Sequence, residues 1–157
     1  MECLNLISRN SFVEKRIGYL GITHLFSEKS DILMMATHRI GMDLESSNHY
    51  IQANALQTFS SIADDDMCKG LGDTIAGLIG KGHSYISKKA CLAGVRVISR
   101  VPEMADTFIQ RLDKVLVEKN HGLLLSALAL SRAIMKVDPE KKTYFKKHLN
   151  HLVSFFF

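Results

Sequence analysis

Three stretches of the sequence share one pattern and decide the fold: NHYIQANALQTFSSI at 48–62, HSYISKKACLAGVRVI at 83–98 and NHGLLLSALALSRAIM at 120–135. The pair Tyr50-Ile51 returns as Tyr85-Ile86, and an alanine falls at the same place in each stretch. A repeat of about 35 residues is typical of stacked pairs of antiparallel helices. The sequence therefore predicts an all-α fold, an α-solenoid whose small residues let neighbouring helices approach closely. The matching positions are Ala55, Ala90 and Ala127, and Leu20, Leu56, Cys91 and Leu128.

Apolar residues recur at helical spacing on both sides of these stretches, and no segment alternates as a β-strand does. Ser11 and Glu14 form a capping box, and Ser30 is a candidate N-cap. The segment from His121 to about Val137 is apolar nearly all round, which predicts a buried inner helix. Pro102 and the pair Asp138-Pro139 open the helices around it. The predicted buried faces are Val13, Ile17, Leu20 and His24; Leu33, Ala36, Ile40 and Leu44; Ile51, Ala55, Ile62 and Ala63; Met67, Leu71, Ile75, Leu78 and Ile79; Ile86, Ala90, Gly94, Val97 and Ile98; Met104, Phe108, Leu112, Val115 and Leu116; and Phe145, Leu149, Leu152 and Val153.

Composition places the 157 residues in one globular segment, with 46% hydrophobic and 23% charged residues. The net charge of +4 is spread along the chain, too thinly to indicate nucleic-acid binding. Three cysteines without a CxxC spacing predict reduced, buried thiols of a cytoplasmic protein. No signal peptide is evident, and the longest uncharged stretch, 120–131, is far short of the ~20 residues of a membrane span. Any membrane contact is therefore expected at the surface.

Motifs that carry chemistry are absent or explained more simply. The glycine-rich segment GLGDTIAGLIGKG at 70–82 lacks phosphate-loop spacing and a preceding strand. Asp64, Asp65 and Asp66 are expected to stabilise a helix start, because a calcium loop needs further oxygen ligands and a distal Glu. No catalytic motif is recognisable. The sequence therefore predicts a protein that is not an enzyme and needs no metal or other cofactor.

Two groups of polar residues remain as candidates for surface contacts. His148 and His151 have a spacing that suits zinc, but a third ligand is lacking, so a solvated helix face is predicted. Lys88 and Lys89, like the pair Lys146-Lys147, are candidates to contact an anionic surface or an acidic partner. An ordinary charged helix face explains these pairs better, because recognition of an anionic surface typically uses a cluster of four or more Lys or Arg residues.

Several short motifs follow one another in order from residue 1 to about residue 153. Together they resemble the trunk of a large adaptin, and the last two favour a gamma-adaptin over alpha or epsilon chains. The resemblance implies a right-handed superhelix of HEAT/armadillo-like antiparallel helix pairs. The motifs are ECLxLI at 2–7, KRIGYLG at 15–21, DL at 43–44, YIxKKA at 85–90, VPEM at 101–104 and EKNHG at 118–122.

The adaptin resemblance also implies a function and a set of partners. Large adaptins assemble with beta, medium (mu) and small (sigma) chains, and an Arf GTPase with phosphoinositide recruits the complex to Golgi and endosomal membranes. The complex sorts cargo into clathrin-coated vesicles, and the sigma chain lies in the concave side of the trunk. The positions matching Leu4 and Met35 contact Arf; Met35 replaces the expected leucine, and Leu4 could equally belong to the core.

The ends of the chain are expected to belong to a longer protein. Residues 1–7 already have the pattern of a core helix, and Phe155, Phe156 and Phe157 follow without a partner helix. We therefore expect residues 1–157 to be one solenoid segment, a fragment of an adaptin N-terminal trunk. Two alternatives remain open on periodicity alone: a nuclear-transport or other HEAT scaffold, and a HEAT-type DNA glycosylase.

Overall fold

The computed structural model describes residues 2–25 and 32–156, without the side chains of residues 32, 155 and 156. Its described residues form helices and no strand, which confirms the all-α prediction. A 3₁₀ turn at Pro102–Met104 precedes α7, and another at Pro139–Lys141 precedes α9. The helices are α1 (Glu2–Ser8), α2 (Phe12–Leu25), α3 (Ile32–Leu44), α4 (His49–Ile62), α5 (Asp65–Leu78), α6 (Ser84–Arg100), α7 (Ala105–Val115), α8 (His121–Val137), α9 (Lys142–Lys146) and α10 (Leu149–Phe156).

Consecutive helices pack in pairs, and the pairs stack into two rows. The inner row contains α2, α4, α6 and α8, each against the next, and the outer row contains α1, α3, α5 and α7. Contacts along the inner row are more extensive than those along the outer row. In a curved double layer the more closely packed row lies on the concave side. The predicted α-solenoid of helix pairs is therefore confirmed, with its core between the rows.

Small residues at the repeat positions allow this close packing. Ala55, Ala90 and Ala127 are completely buried, as their spacing predicted. Gly94, on the same face of α6, leaves even less room. A Cβ placed there would lie 2.7 Å from a ring carbon of Phe108 and 3.2 Å from Leu130.

Polar side chains cap several of the helix starts, including the predicted Asp64. Asp64 is the N-cap of α5, where its Oδ1 accepts from the backbone N–H of Met67 at 2.8 Å. Asn48 and Asn120 cap α4 and α8 in the same way. Pro102 opens its 3₁₀ turn, where its missing N–H costs no hydrogen bond. Helix α2 begins at Phe12, directly after Ser11, whereas Ser30 lies outside the described residues.

The predicted buried face of α2 is wrong. Val13, Ile17 and Leu20 are exposed, and the opposite face packs inward through Lys15 and Tyr19. Hydrophobic periodicity predicts that a lysine faces solvent, but Lys15 is buried because its ammonium group pairs with the buried carboxylate of Asp43. The core face of this helix thus combines Gly18, Tyr19 and Ile22 with a buried ion pair that periodicity cannot detect.

The C-terminal part also departs from prediction. The expected last helix is divided into a 3₁₀ turn and the short helices α9 and α10. Phe145 is buried as predicted, but Leu149 and Val153 are exposed. Helix α8 has the predicted bounds, yet Leu125 is exposed, so one of its faces is open to solvent.

Candidate protein-binding surface

A buried polar cluster joins the first three helices. The Nζ of Lys15 donates to both carboxylate oxygens of Asp43, at 2.9 and 2.7 Å, and to the carbonyl of Ile7 at 2.7 Å. The hydroxyl of Tyr19 donates to Asp43 Oδ2 at 2.7 Å, and Arg39 Nε donates to the same Ile7 carbonyl at 3.0 Å. The side chains of Lys15 and Asp43 are only 3% and 7% exposed. This cluster fixes α1 against α2 and α3.

The cluster gives a physical role to residues that the sequence marked only as motif positions. Burial, together with the hydrogen bond and the charge of Asp43, raises the pKa of Tyr19 well above its ordinary value. The phenol is therefore held in its protonated, donating form. Gly18 adds to the fit, because a Cβ there would lie 2.8 Å from the Cys3 carbonyl. KRIGYLG is thus a packing motif in which Lys15, Gly18 and Tyr19 face inward.

The two residues expected to contact Arf lie in different environments. Leu4 on α1 is 8% exposed and belongs to the hydrophobic core. Met35 on α3 is 58% exposed, and its neighbour Met34 is 81% exposed. Exposed methionines form adaptable apolar contact surfaces, because their side chains are flexible and polarisable. Of the two positions, Met35 is the one that the structure leaves accessible to a partner.

Lys88 and Lys89 lie on the inner row, on the partly exposed face of α6. Lys89 donates to the side-chain oxygen of Gln57 on α4 at 2.7 Å. The Lys88 side chain lies against Gly122, at the start of α8. Both lysines therefore lie where neighbouring inner helices meet, and not on an isolated solvated face.

The prediction of a solvated helix face for His148 and His151 is wrong for His148. His148 is buried, and its Nε2 lies 2.9 Å from Asp113 Oδ1 on α7. Tyr144 and Lys147 also bond to this carboxylate. Partial burial pulls the pKa of Asp113 upward, but the hydrogen bonds from Tyr144, His148 and Lys147 outweigh it and lower the pKa. These bonds attach the α9–α10 segment to the outer row.

The glycine-rich segment 70–82 is helical as far as Leu78 and ends in a turn. Helix α5 ends at Leu78, and Gly80 and Gly82 adopt positive φ values of 68° and 76°. The N–H of Gly80 donates to the Ser87 hydroxyl at 2.8 Å, which fixes the turn against α6. A phosphate loop connects a strand to a helix. The described residues contain no strand, so this geometry is not formed among them.

Burial keeps the thiols of Cys68 and Cys91 in their protonated form. Burial raises the pKa of Cys68 to about 11 and that of Cys91 to about 12, so neither thiol is activated. These two thiols are free and buried, as predicted, and Cys3 is partly buried. No cluster of His, Cys, Asp or Glu among the described residues could hold a metal ion. None of the described helices is long and apolar enough to cross a bilayer.

Comparison with known proteins identifies the architecture. The sequence matches the family profile described as "Adaptin N terminal region" over residues 1–156. The chain belongs to the adaptin family. This assignment replaces the two alternatives left open by periodicity, a nuclear-transport scaffold and a HEAT-type DNA glycosylase.

Relatives of this adaptin include gamma subunits from distant organisms. It is 37% identical to the AP-1 complex subunit gamma-1 of Mycosarcoma maydis over 154 residues, covering 98% of this chain and 18% of that one. It is 34% identical to the human AP-1 complex subunit gamma-like 2 over 153 residues, covering 98% and 20%. The prediction of a gamma-like large adaptin is therefore confirmed. The chain spans about a fifth of the length of these curated relatives.

A solved structure shares the fold. A chain of the "Homology model of the full-length AP-3 complex in an intermediate open conformation" superposes with a TM-score of 0.83 at 24% identity, covering 97% of this adaptin and 27% of that chain. At this identity the match shows the fold alone. It agrees with the stacked helix pairs described above.

Proposed function

We propose that this adaptin is a non-catalytic scaffold that contributes binding surface to a clathrin-associated adaptor complex. Its partners are the beta, mu and sigma chains, and the complex acts in vesicle-mediated protein sorting. The family match over residues 1–156, together with the similarity to AP-1 gamma subunits, carries this proposal. The structure supports it with two rows of helices that offer extended surface for partners.

The concave inner row is the proposed site for the sigma chain. Its solvent side combines apolar residues, such as Leu92 and Leu125, with the basic residues of α6 and α8. A surface of this kind suits a stable protein interface, in which apolar contacts supply affinity and charges supply orientation. The outer row remains available for other partners.

The outer face of α3 is the proposed contact for an Arf GTPase. Met35 and Met34 supply its exposed apolar atoms, and Leu4 acts from the core by positioning α1 against this helix. The protein would thus be cytoplasmic and reach Golgi and endosomal membranes and clathrin-coated vesicles as part of the assembled complex. Lys88 and Lys89 remain candidates for an anionic contact in that assembly.

Co-expression with the sigma chain of an AP-1 complex tests the scaffold role. The tagged full chain should retain the sigma chain through affinity purification and size-exclusion chromatography. Separate elution of the two chains, with the adaptin folded by circular dichroism, would contradict the proposal.

The Arf contact is tested separately by exchanging one exposed side chain. Met35→Asp should weaken binding of GTP-loaded Arf by at least about tenfold, because it places a charge in an apolar contact. Val117→Asp is the matched control, since Val117 is 54% exposed on the segment after α7. Equal affinities for the two variants in a biolayer binding assay would place the Arf contact elsewhere.

A further inference from the structure

Charge is segregated between the two rows of helices. The inner helices α4, α6 and α8 contain six Lys or Arg residues and no Asp or Glu. The outer helices α5 and α7 contain five aspartates and three Lys or Arg residues, so they are acidic in balance but not free of cations. The overall charge of +4 conceals this separation, because the carboxylates offset the lysines and arginines in the total. The concave side is therefore more basic than the composition indicates. The inner-row cations are Lys88, Lys89, Arg96, Arg100, Arg132 and Lys136.

Most cations of α6 already have partners within the protein. Arg96 donates to the carbonyl of Ala63 at 3.0 Å, and Arg100 lies 3.6 Å from Asp65. Lys89 bonds to Gln57. Arg132 and Lys136 on α8 differ, since both are exposed and neither pairs with a described residue. These two side chains are available to an external anion.

Arg132 and Lys136 border a groove between α6 and α8. The groove has a volume of about 550 Å³, and Val95, Ala129 and Ala133 supply its apolar surface. No carboxylate is among the described residues that line it. Arg132 and Lys136 are one helical turn apart on α8, so their charged groups lie on the same side of the apolar surface. The groove thus combines two unpaired cations with an apolar floor.

We propose that the α6–α8 groove binds an acidic, aliphatic segment of a partner protein. Carboxylates of the segment would pair with Arg132 and Lys136, and its Leu or Val side chains would pack on Val95 and Ala133. Arg suits this role because its planar guanidinium pairs with a carboxylate through two parallel bonds. The groove lies on the inner row that is also proposed for the sigma chain, but the inference rests on the chemistry of the groove alone and is therefore tested on the chain without that partner.

The observations favour a peptide over other anionic partners. Recognition of an anionic bilayer typically uses a cluster of four to eight Lys or Arg residues, and the groove has two. Single-stranded nucleic acid also requires aromatic side chains on which bases stack, and none lines the groove. The recessed apolar floor instead matches the aliphatic side chains of a protein segment.

The test uses the full chain and a labelled peptide in which Glu alternates with Leu and Val. Fluorescence anisotropy should show saturable binding that weakens as salt increases. Arg132→Glu/Lys136→Glu should reduce the affinity at least about tenfold, because both attractive contacts become repulsive. A peptide with Gln in place of Glu should bind at least about tenfold more weakly than the acidic peptide.

Two controls separate the groove from net charge. Lys69→Glu/Lys114→Glu changes the total charge equally but places the substitutions on the exposed side of α5 and α7. Its affinity for the peptide should equal that of the parent chain. The milder Arg132→Gln/Lys136→Gln variant should lose part of the affinity with an unchanged circular dichroism spectrum.

Three results would overturn the inference. Equal loss in both charge-reversed variants would show attraction by net charge alone. Equal binding of the acidic and Gln peptides would remove the ion pairs from the account. Binding of phosphatidylserine vesicles or a DNA oligonucleotide, lost on Arg132→Glu/Lys136→Glu while peptide binding persists, would assign the groove to a different anion.

Discussion

Replacing Asp43 with leucine should expose how strongly the buried cluster holds the first three helices. The substitution keeps a similar volume but removes the carboxylate that accepts from Lys15 and Tyr19 at 2.7–2.9 Å. Lys15 would keep its bond to the Ile7 carbonyl and lose its counter-charge. A buried ammonium group would then remain without a carboxylate partner.

The expected loss follows from this geometry. Breaking a buried ion pair by removing one partner costs about 3–5 kcal/mol, because the other charge stays desolvated. Both side chains are less than a tenth exposed, so the effect should lie in this range and not near the ~0–1 kcal/mol of a surface pair. Lys15→Met/Asp43→Leu should recover most of the loss, since the two most buried charges are then gone. Arg39, 3.7 Å from Asp43 and 22% exposed, keeps its bond to the Ile7 carbonyl. The Tyr19 hydroxyl, left without its acceptor, should retain a cost of about 1–3 kcal/mol.

Urea unfolding followed by far-ultraviolet circular dichroism measures these free energies. The single variant should have a lower midpoint and an unchanged slope, and the double variant should lie between it and the parent chain. Adding Tyr19→Phe should bring the double variant close to the parent. A loss below about 1 kcal/mol for Asp43→Leu, or an equal loss in the double variant, would refute the reasoning about a desolvated pair.

Three further predictions concern packing, attachment and titration. Gly94→Ala should destabilise the fold by about 1–3 kcal/mol in urea unfolding, because the added Cβ would overlap the Phe108 ring. Gly70→Ala has open space on α5 and should instead stabilise the fold by about 0.5–1 kcal/mol. Equal effects of the two substitutions would contradict the packing at Gly94. Asp113→Asn should speed amide hydrogen exchange in residues 142–154 and leave exchange in α4 unchanged. The pKa of Asp113 is lowered in the folded chain, so the stability that its carboxylate contributes should be lost as pH falls below the usual carboxyl range. Burial raises the pKa of Cys68 to about 11 and that of Cys91 to about 12, from 9.0. The stability that the two neutral thiols contribute is therefore complete below pH 9 and should be lost as pH rises toward 12. The Cys68→Ala/Cys91→Ala variant should lose less stability over that pH range, and an identical pH profile would contradict the assignment.

The repeat could be found in the sequence because its physical cause is local. Close helix packing requires small residues at fixed positions, and Ala55, Ala90 and Ala127 occupy such positions in the core. Capping is local too, so Asp64 could be assigned to a helix start from its neighbours alone. Features that depend on one helix or one turn are the ones that the sequence predicted well.

Features that depend on two distant segments were missed. The burial of Lys15 on the inward face of α2 depends on Asp43, which lies on the next helix, 28 residues later in the sequence. His148 is likewise buried by Asp113 on α7, and not by any neighbour in sequence. In both cases a polar side chain is buried because its partner comes from elsewhere, and periodicity carries no information about that partner.

The binding surface was predicted only in part. The family resemblance indicated Leu4 and Met35, but only the structure distinguishes a core leucine from an exposed methionine. Lys88 and Lys89 drew attention as a pair, whereas Arg132 and Lys136 did not, because they are separated in sequence. The sequence did contain a signal, because α4, α6 and α8 all lack Asp and Glu. That signal becomes meaningful only once these alternate helices are known to form one row.

Lysine footprinting of the complex with the sigma chain tests the scaffold account most directly. Acetylation of the free chain and of the complex, read by mass spectrometry, reports which exposed amines the partner covers. We predict slower labelling of Lys88 and Lys136 on the inner row and unchanged labelling of Lys69 and Lys114 on the outer row. Protection confined to the outer row, or no protection in a complex of proven stoichiometry, would contradict a concave binding surface.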